Sequence, residues 1–197
     1  GEEKEMNQQQ ENGRKRSTFM EAKEYILSRV KEILENGDLE TINIVVDKIL
    51  NTRQIFVYGS GRSGIVGKAF AMRLVQMGLR AYFIGETITP IVEHGDLVII
   101  ISNKGETYSA IQTANIVRRV GGEVAVLTSN RQSKLALAAN HVIELKIEWD
   151  TKHKRFAPLG TLFEVSAFIF LDALVAEVME KKNENEDTMR ARHAIMV

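Results

Sequence analysis

The stretch DLVIIISNKGETYSA, residues 96–110, decides the fold. A run of β-branched apolar residues stops at Ser102, a short polar loop follows, and a helical pattern starts at Thr107. A strand that is apolar at consecutive positions, rather than at every second one, is covered on both faces, as strands of parallel sheets are. The same rhythm recurs on either side. IFVY (55–58) leads into GSGRSG and the helical GIVGKAFAMRLVQMG, and AYFI (81–84) follows. After 96–110 come EVAVLT (123–128), a short helix around 133–139, and HVIELKI (141–147). Short apolar runs alternating with helical stretches of about 10–15 residues predict βαβ units and a parallel sheet. The expected architecture is α/β: a three-layer αβα sandwich around a five-stranded parallel sheet.

Two helices precede the sheet. Phe19, Ala22, Ile26, Val30 and Ile33 fall on one face of the first; Asn36-Gly37 stops it, and Asp38 can cap DLETINIVVDKIL. A long apolar helix, LFEVSAFIFLDALVAEVM (162–179), follows the sheet. Glu164, Asp172 and Glu177 interrupt it, so its unbroken apolar run falls short of the roughly 20 residues of a membrane span. Residues 1–17 hold one apolar side chain, Met6, and read as a disordered or artefactual tail before a single domain over 18–197.

Composition narrows the function. The 197 residues suffice for one domain with a real core, and 44% hydrophobic against 26% charged residues is a soluble balance. Zero net charge gives no electrostatic footprint for nucleic acid or an anionic membrane. Without cysteine there is no disulfide framework, thiolate metal site or cysteine nucleophile. None of the four histidines stands with a carboxylate at metal-ligand spacing, so no metal and no cofactor is expected. The N-terminus shows no apolar signal segment, which makes the cytoplasm the expected address.

Ligands of open α/β sheets bind beyond the carboxyl ends of the strands. Two loops occupy that position: Gly59-Ser60-Gly61-Arg62-Ser63-Gly64 and Ser102-Asn103-Lys104-Gly105-Glu106-Thr107. Each sets small residues, hydroxyls and free N–H groups at a helix N-terminus, suiting a phosphate. Glycine and serine there can also be plain turn chemistry, and Thr107 a plain N-cap. The Walker A pattern fails, because Gly67-Lys68 is followed by Ala69. The dinucleotide pattern GxGxxG fits at Gly59, Gly61 and Gly64, with Glu86 near the place of a ribose-binding acid. It leaves the second loop unexplained and finds no second domain for a hydride-transfer substrate.

Both loops together resemble the sugar isomerase (SIS) family, marked by a GxGxS turn after the first strand and an SxSGxT-like loop after the third. GETITP (85–90), PLGTLFE (158–164) and RARHAIMV (190–197) are similar to the branch that interconverts 3-hexulose 6-phosphate and fructose 6-phosphate. The resemblance implies a flavodoxin-like SIS fold and an isomerase acting by proton transfer through an enediol, in formaldehyde fixation by the ribulose monophosphate pathway or, in reverse, in pentose phosphate supply. It implies that Ser102, Asn103, Lys104, Gly105 and Thr107 hold the phosphate and that Ser60, Gly61, Arg62 and Ser63 line the sugar and phosphate. Glu86 and Thr87 stand at the site's edge, although a simple turn closed by Pro90 also accounts for them. Glu164 is the implied base; by spacing alone, Thr161 and Glu164 read as a T-x-x-E capping box. His193 is the implied second catalytic group, from its own or a neighbouring subunit, whereas His153 in the basic TKHKR has no such match. The partners implied are a small sugar phosphate and further copies of the chain, in a dimer or tetramer with shared sites. The alternatives are a non-catalytic sugar-phosphate-binding protein of the same fold and a dinucleotide-binding protein. Lys104 departs from the pattern, which has a serine there.

Overall fold

A computed structural model describes residues 2–4 and 16–196. The tail expected over 1–17 lies largely outside the described residues. From Thr18 the chain forms α1 (Thr18–Glu35), α2 (Leu39–Asn51), β1 (Ile55–Tyr58), α3 (Gly61–Gln76), β2 (Ala81–Phe83), β3 (Leu97–Ile101) and α4 (Tyr108–Arg119). It continues with β4 (Glu123–Thr128), α5 (Lys134–Leu137), β5 (His141–Glu144), α6 (His153–Phe156), α7 (Thr161–Lys182) and α8 (Glu186–Arg190). The strands form one all-parallel sheet in the order β2-β1-β3-β4-β5.

Side-chain alternation splits the core in two. Leu97, Ile99 and Ile101 of β3 face a cluster with α2, α3 and α7, while Val98 and Ile100 face a smaller one with α4 and Leu135. Every residue of β3 is buried, as its unbroken apolar run requires. In α7 the buried positions Phe163, Ala167, Leu171, Leu174 and Val178 recur at three- and four-residue steps against the sheet and α3. Among the described residues no helix is long and apolar enough to cross a membrane.

Two boundaries and one helix cap differ from expectation for physical reasons. The last strand ends at Glu144 rather than Ile147, because its neighbour β4 ends at Thr128. Leu145 donates one more bond to Thr128 O, and Leu145 and Ile147 stay buried without a ladder. Helix α3 starts at Gly61, so Arg62 and Ser63 belong to its first turn rather than to a loop. No capping box opens α7. Its N-cap is Gly160, and Thr161 Oγ1 donates to Pro158 O at 2.7 Å, which leaves the Glu164 carboxylate for other work.

The amino-terminal edge of the sheet carries a polar network of its own. Lys48 Nζ stands 2.9 Å from Glu123 Oε2, and His141 Nε2 lies 3.3 Å from the same oxygen. The hydrogen bond from Lys48, opposed by partial burial and helped by His141, holds the Glu123 carboxyl below its ordinary 4.5. A depressed carboxyl stabilises the fold above its unfolded pKa, and that contribution disappears as pH falls through the folded value. Urea midpoints of Glu123→Gln and the unmutated protein, measured from pH 6 to pH 3, are therefore expected to converge below about pH 4.5.

Candidate active site

The strand order reverses direction between β1 and β3, the switch point at which this topology opens a crevice. The two loops singled out in the sequence leave the sheet there, from adjacent strands. Their glycines have separate reasons. A Cβ on Gly64 would stand 2.4 Å from Gly59 O, so the turn closes only with glycine at that point. Gly105 adopts φ 66°, and a Cβ there would strike Ser133 Oγ at 2.0 Å.

Helix caps divide the molecule. Ser17, Asp38, Ser133 and Asn185 each accept a backbone N–H at the starts of α1, α2, α5 and α8. At the starts of α3, α4, α6 and α7 the N-cap residues are Ser60, Thr107, Lys152 and Gly160, and none makes a side-chain cap bond. Ser60 and Thr107 thus hold N-cap positions, but neither side chain satisfies the helix N–H groups. The starts of α3 and α7 meet, and the loop that leads into α4 reaches the same place. Arg62 Nε of α3 lies 2.9 Å from Glu164 Oε1 of α7, and a Cβ on Gly160 would stand 3.4 Å from Asn103 Nδ2 in the β3–α4 loop.

The β3–α4 loop is tied from behind. Asn103 O accepts from Ser129 N, Ser129 Oγ and Thr128 Oγ1, and Asn103 Oδ1 accepts from Ser129 Oγ at 2.6 Å. Ser102 is buried, and its Oγ accepts from Gly105 N at 3.2 Å, keeping its own hydroxyl proton to donate. Lys104 and Thr107 are exposed.

Glu164 is mostly buried, its side chain 13% exposed, while Arg62 beside it is open to solvent. Oε1 has no partner in hydrogen-bond geometry among the described residues, although Arg62 Nε is close; the guanidinium is near but not aimed. Oε2 lies over Gly160, where a Cβ would come within 2.7 Å. On one side of this carboxylate is a hollow of about 380 Å³ lined by Arg62, Ile65, Val66, Val165, Phe168 and Ile169. Beyond Gly160 is a cleft of about 800 Å³, walled by Asn103 and Lys104, by Pro158, Leu159 and Gly160, and by Trp149, His153 and Lys154. Leu159 holds φ 57° at its rim, a left-handed conformation costly for a branched side chain.

The remaining expected residues are placed apart. Glu86 pairs with Lys68 across 3.3 Å, and Thr89 Oγ1 staples its turn to Phe83 O and Glu86 O. The GxGxxG spacing stands, but Glu86 faces a lysine and the strand order is 2-1-3-4-5 rather than 3-2-1-4-5-6, so neither adds support for a dinucleotide. His193 lies beside Arg73, Val175 and Met179, at the far end of α7. Val175 is eleven residues beyond Glu164, about 16 Å at 1.5 Å per residue, so His193 does not meet Glu164 within one chain. Among the described residues no cluster of His, Asp or Glu could hold a metal ion.

Sequence reasoning missed the third wall. Trp149, His153 and Lys154 lie between β5 and α7, on the same edge as the two glycine loops. The available signal was position: a segment with an indole, an imidazole and several cations follows the last parallel strand.

The SIS domain family matches residues 48–173, and the chain belongs to that family. Among curated relatives, an uncharacterised protein of Archaeoglobus fulgidus is 41% identical over 88% of this chain and 97% of its own length. The 3-hexulose-6-phosphate isomerase of Bacillus subtilis is 38% identical over 89% of this chain and 98% of its own. Among solved structures, a Methanococcus jannaschii protein, for which the function of 3-hexulose-6-phosphate isomerase was inferred, superposes with a TM-score of 0.78. It is 32% identical, covering 89% of this chain and 97% of that one.

Proposed function

We propose that the protein is a phosphosugar isomerase that interconverts 3-hexulose 6-phosphate and fructose 6-phosphate. The observation that carries this reading is the convergence of the starts of α3 and α7 and of the β3–α4 loop around one mostly buried carboxylate. Free N–H groups and the positive ends of helix dipoles suit a phosphate dianion. A carboxylate beside them is placed to move a proton between the carbons next to a carbonyl. In the forward direction Glu164 takes the proton from C2 of the 3-keto sugar. The electron pair forms the C2–C3 double bond of an enediol, and the proton returns to C3 as the carbonyl re-forms at C2. Ser102, Thr107 and the 103–107 backbone hold the phosphate, with Ser60, Gly61, Arg62 and Ser63 along the sugar.

The relatives bearing that enzyme's name, 30–38% identical over most of this chain, support the substrate assignment. Ile65 on α3, with Phe168 and Ile169 on α7, leaves exposed apolar surface next to Glu164. That surface supports a homo-oligomer, and His193 then serves a neighbouring subunit's site. The same reading carries a cytoplasmic address and a place in the ribulose monophosphate pathway. Incubation with fructose 6-phosphate, followed by NMR for the 3-keto isomer, tests it. Tight sugar-phosphate binding without turnover would instead mark a sensor of the same fold.

Lys104 lines the cleft beside Lys154, and an ammonium there forms a charge-assisted bond to the dianion. Lys104→Ser is expected to raise KM for fructose 6-phosphate about tenfold, with kcat changed far less, in initial-rate measurements. Tighter binding in the variant would show that the lysine hinders the substrate.

A further inference from the structure

The imidazole of His153 is built into the cleft wall with one nitrogen committed and the other open. Its Nδ1 bonds the carbonyl oxygen of Asp150. A carbonyl only accepts, so Nδ1 carries the proton and Nε2 keeps its lone pair. No protein group among the described residues bonds Nε2. The ring stands edge-on against Trp149, with centroids 5.1 Å apart, and His153 N donates to Asp150 Oδ1 at 3.0 Å.

Asp150 is itself fixed to α1. Tyr25 OH donates to Oδ1 at 2.6 Å and Arg29 Nη1 to Oδ2 at 2.6 Å, while Arg29 also bonds Glu148 O. Burial and the bond to Asp150 push the Tyr25 phenol up to about 12, so it remains a donor. The imidazole is thus held by a chain of contacts none of which involves Nε2. His153 shares its cleft with Gly160, over which Glu164 Oε2 lies.

Isomerisation between adjacent carbons moves two protons, one on carbon and one on oxygen, and a single carboxylate handles the first. Resting on the isomerase reading above, we infer that His153 carries the second. Starting from fructose 6-phosphate, Glu164 removes the C3 proton, the pair forms C2=C3, and O2 becomes an oxyanion. His153 Nε2 takes the O3 proton and passes it to O2. The O3 electrons then form the C3 carbonyl as C2 takes the proton held by Glu164. Nothing is oxidised or reduced overall, and the imidazole returns to its starting tautomer.

His153→Asn separates holding from proton transfer, because an asparagine amide keeps the donor to Asp150 O and lacks Nε2. In D₂O with fructose 6-phosphate, the variant is expected to lose about 100-fold in kcat with KM within about threefold. Exchange of the C3 proton with solvent, which needs only Glu164, is expected to persist, so its ratio to isomerisation rises at least about tenfold. His153→Ala opens a ring-sized space beside Trp149, and added imidazole is expected to restore part of its rate; this arm serves if the asparagine variant fails to fold. An unchanged exchange ratio, or no response to imidazole, overturns the assignment to His153 alone. Absence of both exchange and isomerisation in the unmutated protein overturns the isomerase reading, and this assignment with it.

Discussion

Glu164→Gln is expected to lower interconversion of fructose 6-phosphate and its 3-keto isomer by at least about 10³-fold, within the range for loss of a positioned general base. The substitution keeps shape and removes the negative charge and the capacity to hold a proton. Little structural cost is expected, because no cap bond depends on this side chain and Oε1 makes no aligned hydrogen bond among the described residues. Arg62, which loses its partner, is 65% exposed and rehydrates easily. Calorimetric affinity for fructose 6-phosphate is therefore expected to stay within a few-fold and the urea midpoint near its original value. Retained turnover would remove Glu164 from the chemistry.

The largest effect on the scaffold is expected from Gly64→Ala. The new methyl would stand 2.4 Å from Gly59 O and 2.9 Å from Gly59 C, and both are backbone atoms. Gly59 is hemmed in as well, since a Cβ there would meet Ile101 O at 3.0 Å. The turn therefore opens only by pulling the end of β1 away from β3. Overpacking typically costs about 1–3 kcal/mol, and an obstacle made of backbone belongs at or above the upper end. Gly61→Ala is the control. Gly61 has φ 55° with nothing within 4 Å of its added Cβ, so it meets only the left-handed cost of about 1–2 kcal/mol. Urea titration of both, with fructose 6-phosphate binding as second readout, separates a blocked turn from a strained one. Equal losses would refute the packing argument.

The fold was legible because its strands are short β-branched runs covered on both faces, which only a parallel sheet between helix layers accommodates. Strand β4 matches its predicted range from Glu123 to Thr128, where Gly122 before it and a polar turn after it punctuate the sequence. Boundaries set by partners were not legible. Nothing within HVIELKI says that β4 stops at Thr128 and ends the pairing. In the site, the two glycine loops announced themselves by composition. The start of α7 misled, since T-x-x-E spacing suits a capping box, whereas Gly160 takes the cap and Thr161 turns back to Pro158. His153 was passed over because Asp150, which holds its ring, is in turn fixed by Tyr25 and Arg29 of α1, contacts that one-dimensional spacing does not encode.

The two edges of the sheet are under separate management. The Lys48–Glu123–His141 network and the buried Asp96, bonded by Gln54 Nε2 and Glu93 N, sit at the amino ends of the strands, while the cleft occupies the carboxyl ends. A substitution that retunes the cleft leaves the opposite network in place, and one that strengthens that network does not reach the cleft. For an evolving lineage, the amino edge is a place where stability can be adjusted without touching the residues that line the cleft.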